Sequence, residues 1–484
     1  MDKLSSKKQI LLVLGFSLIL LFQHSWVEGF FFDGYLYSAL GKHAATNGRW
    51  LVPFLSDSHY ANFDQHPPFL FMIMGIFFKI FGSSFTSARI FGSLWTFFSL
   101  MLMLWIIYRK NGSRNNLLYF IGISFLLNID LIKKSRFPGL DAPLMFFFTA
   151  CFITFFMIYS HLRIKQKSVS FFYWLLFGAL FGVALLIKGP PALFIPFGIF
   201  IFLILKKDLK FLMTSWLPWF ALIFGCLIFS LWPIALKLNG SFYIFERYFD
   251  NQFVRTLVKG RGKTSVNYLT YVKQLFVTSI IPTVFAIFGF YKFRKKISKN
   301  DIFDSFFLLC ASWFLAVLIP MSFMAHKYSH YLLPLYPPLS FMAAYGINEL
   351  RVNIQKKIIN VFSVLLIIVN FIFLIFPVGI KTKRSVDLIN LKKIIELKSI
   401  KPPKHWYMEK NSYPKWDMIN FVGYIYSASV HEFNPDQIEK KLEGLDYGTI
   451  IVTSNKNLKM INQINYEVLY KGEKCKCTFL QKVN

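Results

Sequence analysis

About eleven stretches of this chain are apolar for as long as a helix needs to cross a bilayer, and that decides most of what it can fold into. They fall at roughly 9–26, 88–108, 117–131, 143–160, 171–187, 191–206, 212–236, 270–291, 303–324, 331–348 and 358–378. A hydrocarbon core of about 30 Å takes about 20 helical residues. Inside lipid each backbone polar group must be satisfied within its own segment, so runs of this length are helices. Apolar residues make up 55% of the chain and charged residues 16%, against about 25% charged in soluble domains. The expectation is an all-α polytopic membrane protein. Lys3, Lys7 and Lys8 precede the first run, ILLVLGFSLILLF. No small-residue cleavage pattern follows, so this reads as a retained signal anchor.

The net charge of +30 does not indicate nucleic acid. The basic residues fall mostly in short loops between apolar runs, where the positive-inside rule places them. Attraction to anionic lipid accounts for the rest. Charge also settles the apolar run from Phe69 to Phe81. If this run does not cross, the loops holding Arg109/Lys110/Arg114, Arg163/Lys165/Lys167, Lys206/Lys207/Lys210, Lys292/Arg294/Lys295/Lys296 and Arg351/Lys356/Lys357 all lie on the cytoplasmic side. If it crosses, all five flip outward. The run is therefore expected to be an interfacial or re-entrant helix.

Segments 27–87, 132–142, 188–190, 237–269 and 325–330 then face outward, with the tail after Phe376. Residues 1–379 form the expected transmembrane domain, with 27–87 as its outer first loop. Residues 380–484 form a small α/β soluble domain. Its expected strands are Asn420 to Tyr426, Thr449 to Thr453, Glu467 to Tyr470 and Thr478 to Val483. Cys151, Cys226 and Cys310 sit in apolar runs and read as small hydrophobes. Cys475 and Cys477 read as structural or incidental, with no disulfide framework.

The unusual polar residues gather in the outer segments. FFFDGYLYSALGKHA places Asp33 at a membrane boundary. It either caps a helix, accepts a proton from an acceptor hydroxyl, or binds a divalent metal, for which Asp64 is a second candidate. NFDQHPPF starts a helix at its prolines and sets His66 at an N-terminus that attracts phosphate. RFPGLDAPL holds Asp141, by one reading a cap. LLIKGPPALF holds Lys188 at a tight corner, by one reading a snorkelling side chain. The loop YFDNQFVRTLVKGRGKTSVNYL carries Arg255 and Lys263, suited to clamping a phosphate. HKYSHYLLPLYPPL brings Lys327 and His330 to the outer edge of a crossing. Carboxylates and cations on one face beside lipid are what a reaction on a lipid-linked phosphate needs.

In this order the motifs resemble the GT-C class of polyprenyl-phosphate-dependent glycosyltransferases, the superfamily of protein O-mannosyltransferases and lipid A aminoarabinose transferases. The likeness runs from about residue 9 to about residue 350 and rests on Asp33, NGRWLVP, the HPP run, FGSSFTSARIFG, LDAPL, IKGPPALFIP, the Tyr248–Tyr268 loop and KYSHYLLPLYPPL. It implies many transmembrane helices with interfacial helices in the outer first loop, a sugar donor on a polyprenyl phosphate, and inversion at the anomeric carbon. By this likeness Asp33 is the first-loop aspartate, a base or acceptor-positioning group. Asp141 is the second outer acidic site and Lys188 the lysine of the Lys-Gly corner. Arg255 and Lys327 fall near positions facing the donor phosphate. Gly34 stands where many members carry a second acid, and Gln65-His66-Pro67 where aminoarabinose transferases carry Glu-Lys-Pro.

The expected function is an inverting transferase in a bacterial inner membrane, acting at the periplasmic face. It moves one sugar to a lipid A-like or protein acceptor. Asp33 and Asp141 are the expected catalytic residues, and His66, Lys188, Arg255, Lys263 and Lys327 bind the donor phosphate. A transporter would place ionisable residues near mid-membrane in broken helices. A non-catalytic lipid-binding scaffold is the third reading.

Overall fold

The computed structural model describes residues 6–111, 116–164, 169–213, 215–252, 267–294, 301–324, 327–380, 385–437, 444–458 and 466–483. Each of the apolar segments carries helix. Among the described residues six helices are long and apolar enough to cross a membrane: Phe85–Lys110, Asp141–Arg163, Phe171–Lys188, Leu217–Leu238, Ile302–Phe323 and Val352–Ile375. The pair Thr270–Thr278 and Ile280–Phe293, bent by 109°, makes a seventh if taken as one span. This is a multi-pass membrane protein, with six or seven spans by length where the sequence reads about eleven.

The difference lies in short or broken helices. Ser6–Phe22 has 17 residues and Leu117–Leu126 has 10. Pro190–Leu193 and Ser329–Leu335 are 3-10 turns that precede Phe194–Leu205 and Tyr336–Asn348. Prolines at 190, 191, 334, 337 and 338 remove backbone donors and interrupt the α-helical ladder at these places.

Two compact units divide the chain, and neither is continuous in sequence. The first comprises Met1–His24, Gln65–Phe69 and Arg89–Gly379 and holds most of the apolar helices. Small residues let them approach closely. A Cβ on Gly346 would lie 2.2 Å from the Phe285 carbonyl oxygen, and one on Gly289 would lie 2.6 Å from that of Met342. Ile280–Phe293 and Tyr336–Asn348 therefore touch backbone to backbone. Arg136 is buried. Its guanidinium donates to the Gln23 carbonyl at 3.2 Å and to the Val378 carbonyl, joining residues that follow the first and the last long apolar helices.

The second unit comprises Ser25–Asp64, Leu70–Ala88 and Ile380–Asn484. Its five-stranded sheet has the order β2-β1-β3-β5-β4, with β1 His405–Glu409, β2 Ser429–Phe433, β3 Ile450–Ser454, β4 Tyr466–Gly472 and β5 Cys477–Lys482. β1 runs parallel to β2 and β3, and β5 antiparallel to β3 and β4. The expected strand from Asn420 to Tyr426 is instead part of the helix Lys415–Tyr426. Met418, Ile419, Phe421 and Val422 are all buried, a helical spacing that a short apolar run disguises. Cys475 and Cys477 are joined in a disulfide at the β4–β5 turn, a bond the sequence reading did not assign.

This helix packs on Phe32–Asn47. Lys42 donates from Nζ to the carbonyls of Tyr424 at 2.6 Å and Ile425 at 3.1 Å, where the last helical carbonyls lack intrahelical partners. Phe30, Tyr35, Phe85 and Tyr424 form an aromatic cluster beside it. Phe69–Phe81 is a helix of 13 residues, about 20 Å long and short of a crossing. It buries Leu70, Met74 and Phe78 and exposes Ile76, Ile80 and Phe81, an apolar outer face suited to lying on lipid.

Candidate functional site

Two helix ends in the first unit supply the best-defined polar cluster. Asp141 begins Asp141–Tyr159, with Pro143 in its first turn, where a missing N–H costs nothing. Leu140 takes the cap position without a side-chain bond, so Asp141 is not the cap. Lys188 ends Phe171–Lys188. Its Nζ donates to Asp141 Oδ1 at 2.5 Å and lies 4.6 Å from the Tyr331 ring centre. Each side chain of the pair retains 12% exposure, so the pair is largely desolvated yet reachable.

The corner after Lys188 needs glycine. Gly189 has φ +68°, and a Cβ there would sit 1.8 Å from the Tyr248 hydroxyl oxygen. Tyr248 is buried against Trp232, ring centres 5.0 Å apart. Lys188 is thus aimed by a left-handed backbone turn closed over a tyrosine.

His330 adds a third polar group. Its Nε2 lies 3.9 Å from Asp141 Oδ2, and its ring stacks on Tyr328 with centres 5.4 Å apart. Burial pushes its pKa down to about 4; Asp141 opposes this, while Lys188 and Lys134 add to it. At neutral pH His330 is therefore a neutral imidazole, and its approach to Asp141 is not an ion pair. Lys327 donates from Nζ to the Met324 carbonyl at 2.5 Å. Tyr271 donates to the Tyr328 carbonyl at 3.4 Å.

His66 belongs to the same unit, in the short segment Gln65–Phe69. Gln252 Nε2 donates to the Gln65 carbonyl at 2.9 Å, tying that segment to the residues that follow Tyr243–Phe249. Arg255 and Lys263 lie outside the described residues. Asp33 and Asp64 belong to the second unit. Asp33 sits in the first turn of Phe32–Asn47, where a carboxylate meets the positive end of the helix dipole. Phe31, not Asp33, is the cap residue. Among the described residues no group of three or more His, Cys, Asp or Glu is gathered tightly enough to hold a metal ion.

Sequence reasoning missed several neighbours. Asp130 accepts from Gln274 Nε2 at 2.9 Å and from the Tyr336 hydroxyl at 3.4 Å. It lies within the apolar segment 117–131, and an ionisable residue in such a segment is costly enough to have been the signal. Lys134, Tyr248 and Tyr331 carry no comparable mark.

Residues 65–233 match the family described as dolichyl-phosphate-mannose-protein mannosyltransferase. Residues 265–416 match the Alg9-like mannosyltransferase family. The first match spans His66, Asp141 and Lys188, and the second Lys327 and His330. The crystal structure of ArnT from Cupriavidus metallidurans bound to undecaprenyl phosphate has the same fold: the TM-score is 0.73 over 98% of this chain and 97% of that one, at 13% identity. In sequence and in fold the chain is similar to the GT-C class of glycosyltransferases.

Among similar chains, the undecaprenyl phosphate-alpha-4-amino-4-deoxy-L-arabinose arabinosyl transferase of Wigglesworthia glossinidia brevipalpis is 24% identical over 350 residues. That match takes in 70% of this chain and 58% of the relative, so the chain spans little more than half of that enzyme. An uncharacterised protein of Aquifex aeolicus (strain VF5) is 27% identical over 432 residues, 89% of this chain and 88% of its own length.

Proposed function

We propose that this protein is an inverting glycosyltransferase. It moves a single sugar from a polyprenyl-phosphate donor to a lipid A-like or protein acceptor at the periplasmic face of a bacterial inner membrane. The Asp141–Lys188 pair, with His330 beside it, carries this reading. It presents a cation that is desolvated, oriented and still open to a ligand. The relatives' names, which specify undecaprenyl- and dolichyl-phosphate sugars, support the donor class. The charge bias of the loops supports the topology. A disulfide between Cys475 and Cys477 fits an oxidising compartment for the C-terminal segment.

The chemistry is a single displacement. The acceptor oxygen attacks the anomeric carbon on the face opposite the phosphate, the bond from that carbon to the phosphate oxygen breaks, and the polyprenyl phosphate departs. An ammonium has three donors, so Lys188 can hold Asp141 with one and offer others to the leaving phosphate. Asp141 fixes the lysine; neutral His330 supplies a hydrogen bond without further charge. Lys327, His66, Arg255 and Lys263 complete the phosphate-binding set. Asp33 takes the proton of an acceptor hydroxyl. For a phosphate acceptor, already ionised, it positions the acceptor instead.

Transfer from a radiolabelled polyprenyl-phosphate sugar to a panel of lipid and protein acceptors, using purified protein, tests this. Lys188→Gln is expected to lower kcat by about 10²–10³, the usual cost of losing one transition-state donor. Wild-type rates in both Lys188→Gln and Asp33→Asn would remove these residues from the chemistry. Failure of the wild type on every acceptor would favour a scaffold.

A further inference from the structure

The helices that present Asp141 and Lys188 enclose a separate apolar groove at their other ends. Phe155 lies fourteen residues after Asp141 in one helix and Trp174 fourteen before Lys188 in the next, each about 21 Å away along the axis. Both line a cavity of about 220 Å³, with Leu203, Phe211, Trp219 and Leu222. An apolar cavity of even about 150 Å³ stays dry and takes up a hydrocarbon.

The rim is charged. Arg163 lies over the lining ring of Phe211, guanidinium to ring centre 5.5 Å, and pairs with Asp208 at 3.0 Å. Lys206, Lys207 and Lys210 follow the lining residue Leu203 in the connection to Leu217–Leu238. Lys206 faces Asp304 and Asp301, which leaves Arg163, Lys207 and Lys210 against the Asp208 carboxylate and the rim positive.

The backbone holds one cation there at a cost. Lys207 has φ 55°. Its N–H donates to the Ile204 carbonyl and that of Asp208 donates to the Leu203 carbonyl, both at 2.9 Å. This closes the C-terminus of Phe194–Leu205 as a Schellman motif, whose left-handed position usually falls to glycine. A lysine stands where glycine would be less strained, and it is exposed.

We propose that the groove binds one acyl chain of an anionic phospholipid, whose phosphate is held by Lys207 and Lys210 with Arg163 beside them. A zwitterionic lipid would bring no net charge to a positive rim. This site is distinct from the Asp141–Lys188 cluster and stands without the donor assignment.

Native mass spectrometry of the delipidated full chain in detergent tests it, with mixed micelles of detergent and either dioleoylphosphatidylglycerol or dioleoylphosphatidylcholine as probes. One phosphatidylglycerol is expected to be retained in preference to phosphatidylcholine. Retention is expected to fall about thirtyfold when two rim charges are removed in Lys207→Gln/Lys210→Gln. It is also expected to fall in Leu222→Trp, which fills the groove and leaves the charges in place. Equal retention of the two lipids overturns the proposal. So does loss in the lysine variant with full retention in Leu222→Trp, since surface charge alone would then hold the lipid. The lysine variant alters only exposed side chains, and an unchanged melting temperature separates lost binding from lost fold.

Discussion

At the scale of single residues, the candidate site depends on groups whose role comes from what surrounds them. Lys188 is an ordinary lysine in sequence; the Asp141 carboxylate and the Tyr331 ring give it one orientation. Gly189→Ala is expected to disturb that orientation in two ways: about 1–3 kcal/mol from a backbone at φ 68°, ψ −116°, which side chains other than glycine rarely adopt, and a clash with the Tyr248 hydroxyl. Tyr248→Phe removes the clashing oxygen, so the two changes should couple. A double-mutant cycle on thermal stability and transfer rate, with the double variant better than the sum of the singles, checks this. Additive effects would show that Tyr248 does not meet the corner.

Histidine protonation gives a second residue-scale test. His43 accepts from Asn47 Nδ2 on Nδ1 at 3.1 Å, and its Nε2 faces the Gly423 carbonyl at 3.4 Å, which suits a neutral ring with the proton on Nε2. Burial pushes its pKa down to about 4; the Gly423 carbonyl opposes this, and Lys42 and Arg49 add to it. His330 is also pushed to about 4. Such groups bind fewer protons in the folded than in the unfolded state. Their contribution is fully present above the unfolded value of about 6.5 and is lost as pH falls toward about 4. The melting temperature should therefore fall between pH 6.5 and pH 4. His43→Gln should flatten that slope, and an unchanged slope would mean that His43 is not buried neutral.

At the scale of elements, much of the fold was legible because helices announce themselves by length and composition. The helix Phe69–Phe81 has the bounds that its flanking prolines and Gly82 predict, and its 13 residues fall short of a span; that it stays on the outer face rests on loop charge. The strands β3, β4 and β5 were found, since each is a short β-prone run bounded by turn residues. β1 and β2 were missed, and Asn420–Tyr426 was misread, because period cannot separate a buried strand from a buried helix over so few residues. The joint between Phe32–Asn47 and Lys415–Tyr426 had no sequence mark at all. Lys42→Met is expected to leave the Tyr424 and Ile425 carbonyls without their donor and to lower stability by about 1–3 kcal/mol. A shift in the denaturation midpoint measures it, and no shift would mean that solvent replaces the lysine.

At the scale of the whole molecule, the charge pattern and the tertiary structure answer different questions. Loop charge predicts the side on which each segment lies. A single cysteine replacing Ser84, in a background free of other cysteines, should react with an impermeant maleimide from outside the cell. Reaction only from the cytoplasm would mean that 69–81 crosses and that the outer and inner loops exchange. Arg136 tests the packing of the first unit. Arg136→Leu removes a buried donor shared by the Gln23 and Val378 carbonyls, and is expected to cost on the order of 2 kcal/mol, read as a lower melting temperature in detergent.

By itself the sequence determined the membrane class, the helical segments and the order of motifs that mark the GT-C resemblance. Hydrophobic length and charge bias act locally, and a chain shows them without being folded. Only the tertiary structure decided which residues meet. It joined Asp141 to Lys188 across 47 positions of sequence and brought His330 beside them. It broke several apolar runs into short helices, and gathered 25–64 and 70–88 into one compact unit with residues after 380. Such pairings depend on packing between elements distant in sequence, and no local period or composition encodes them.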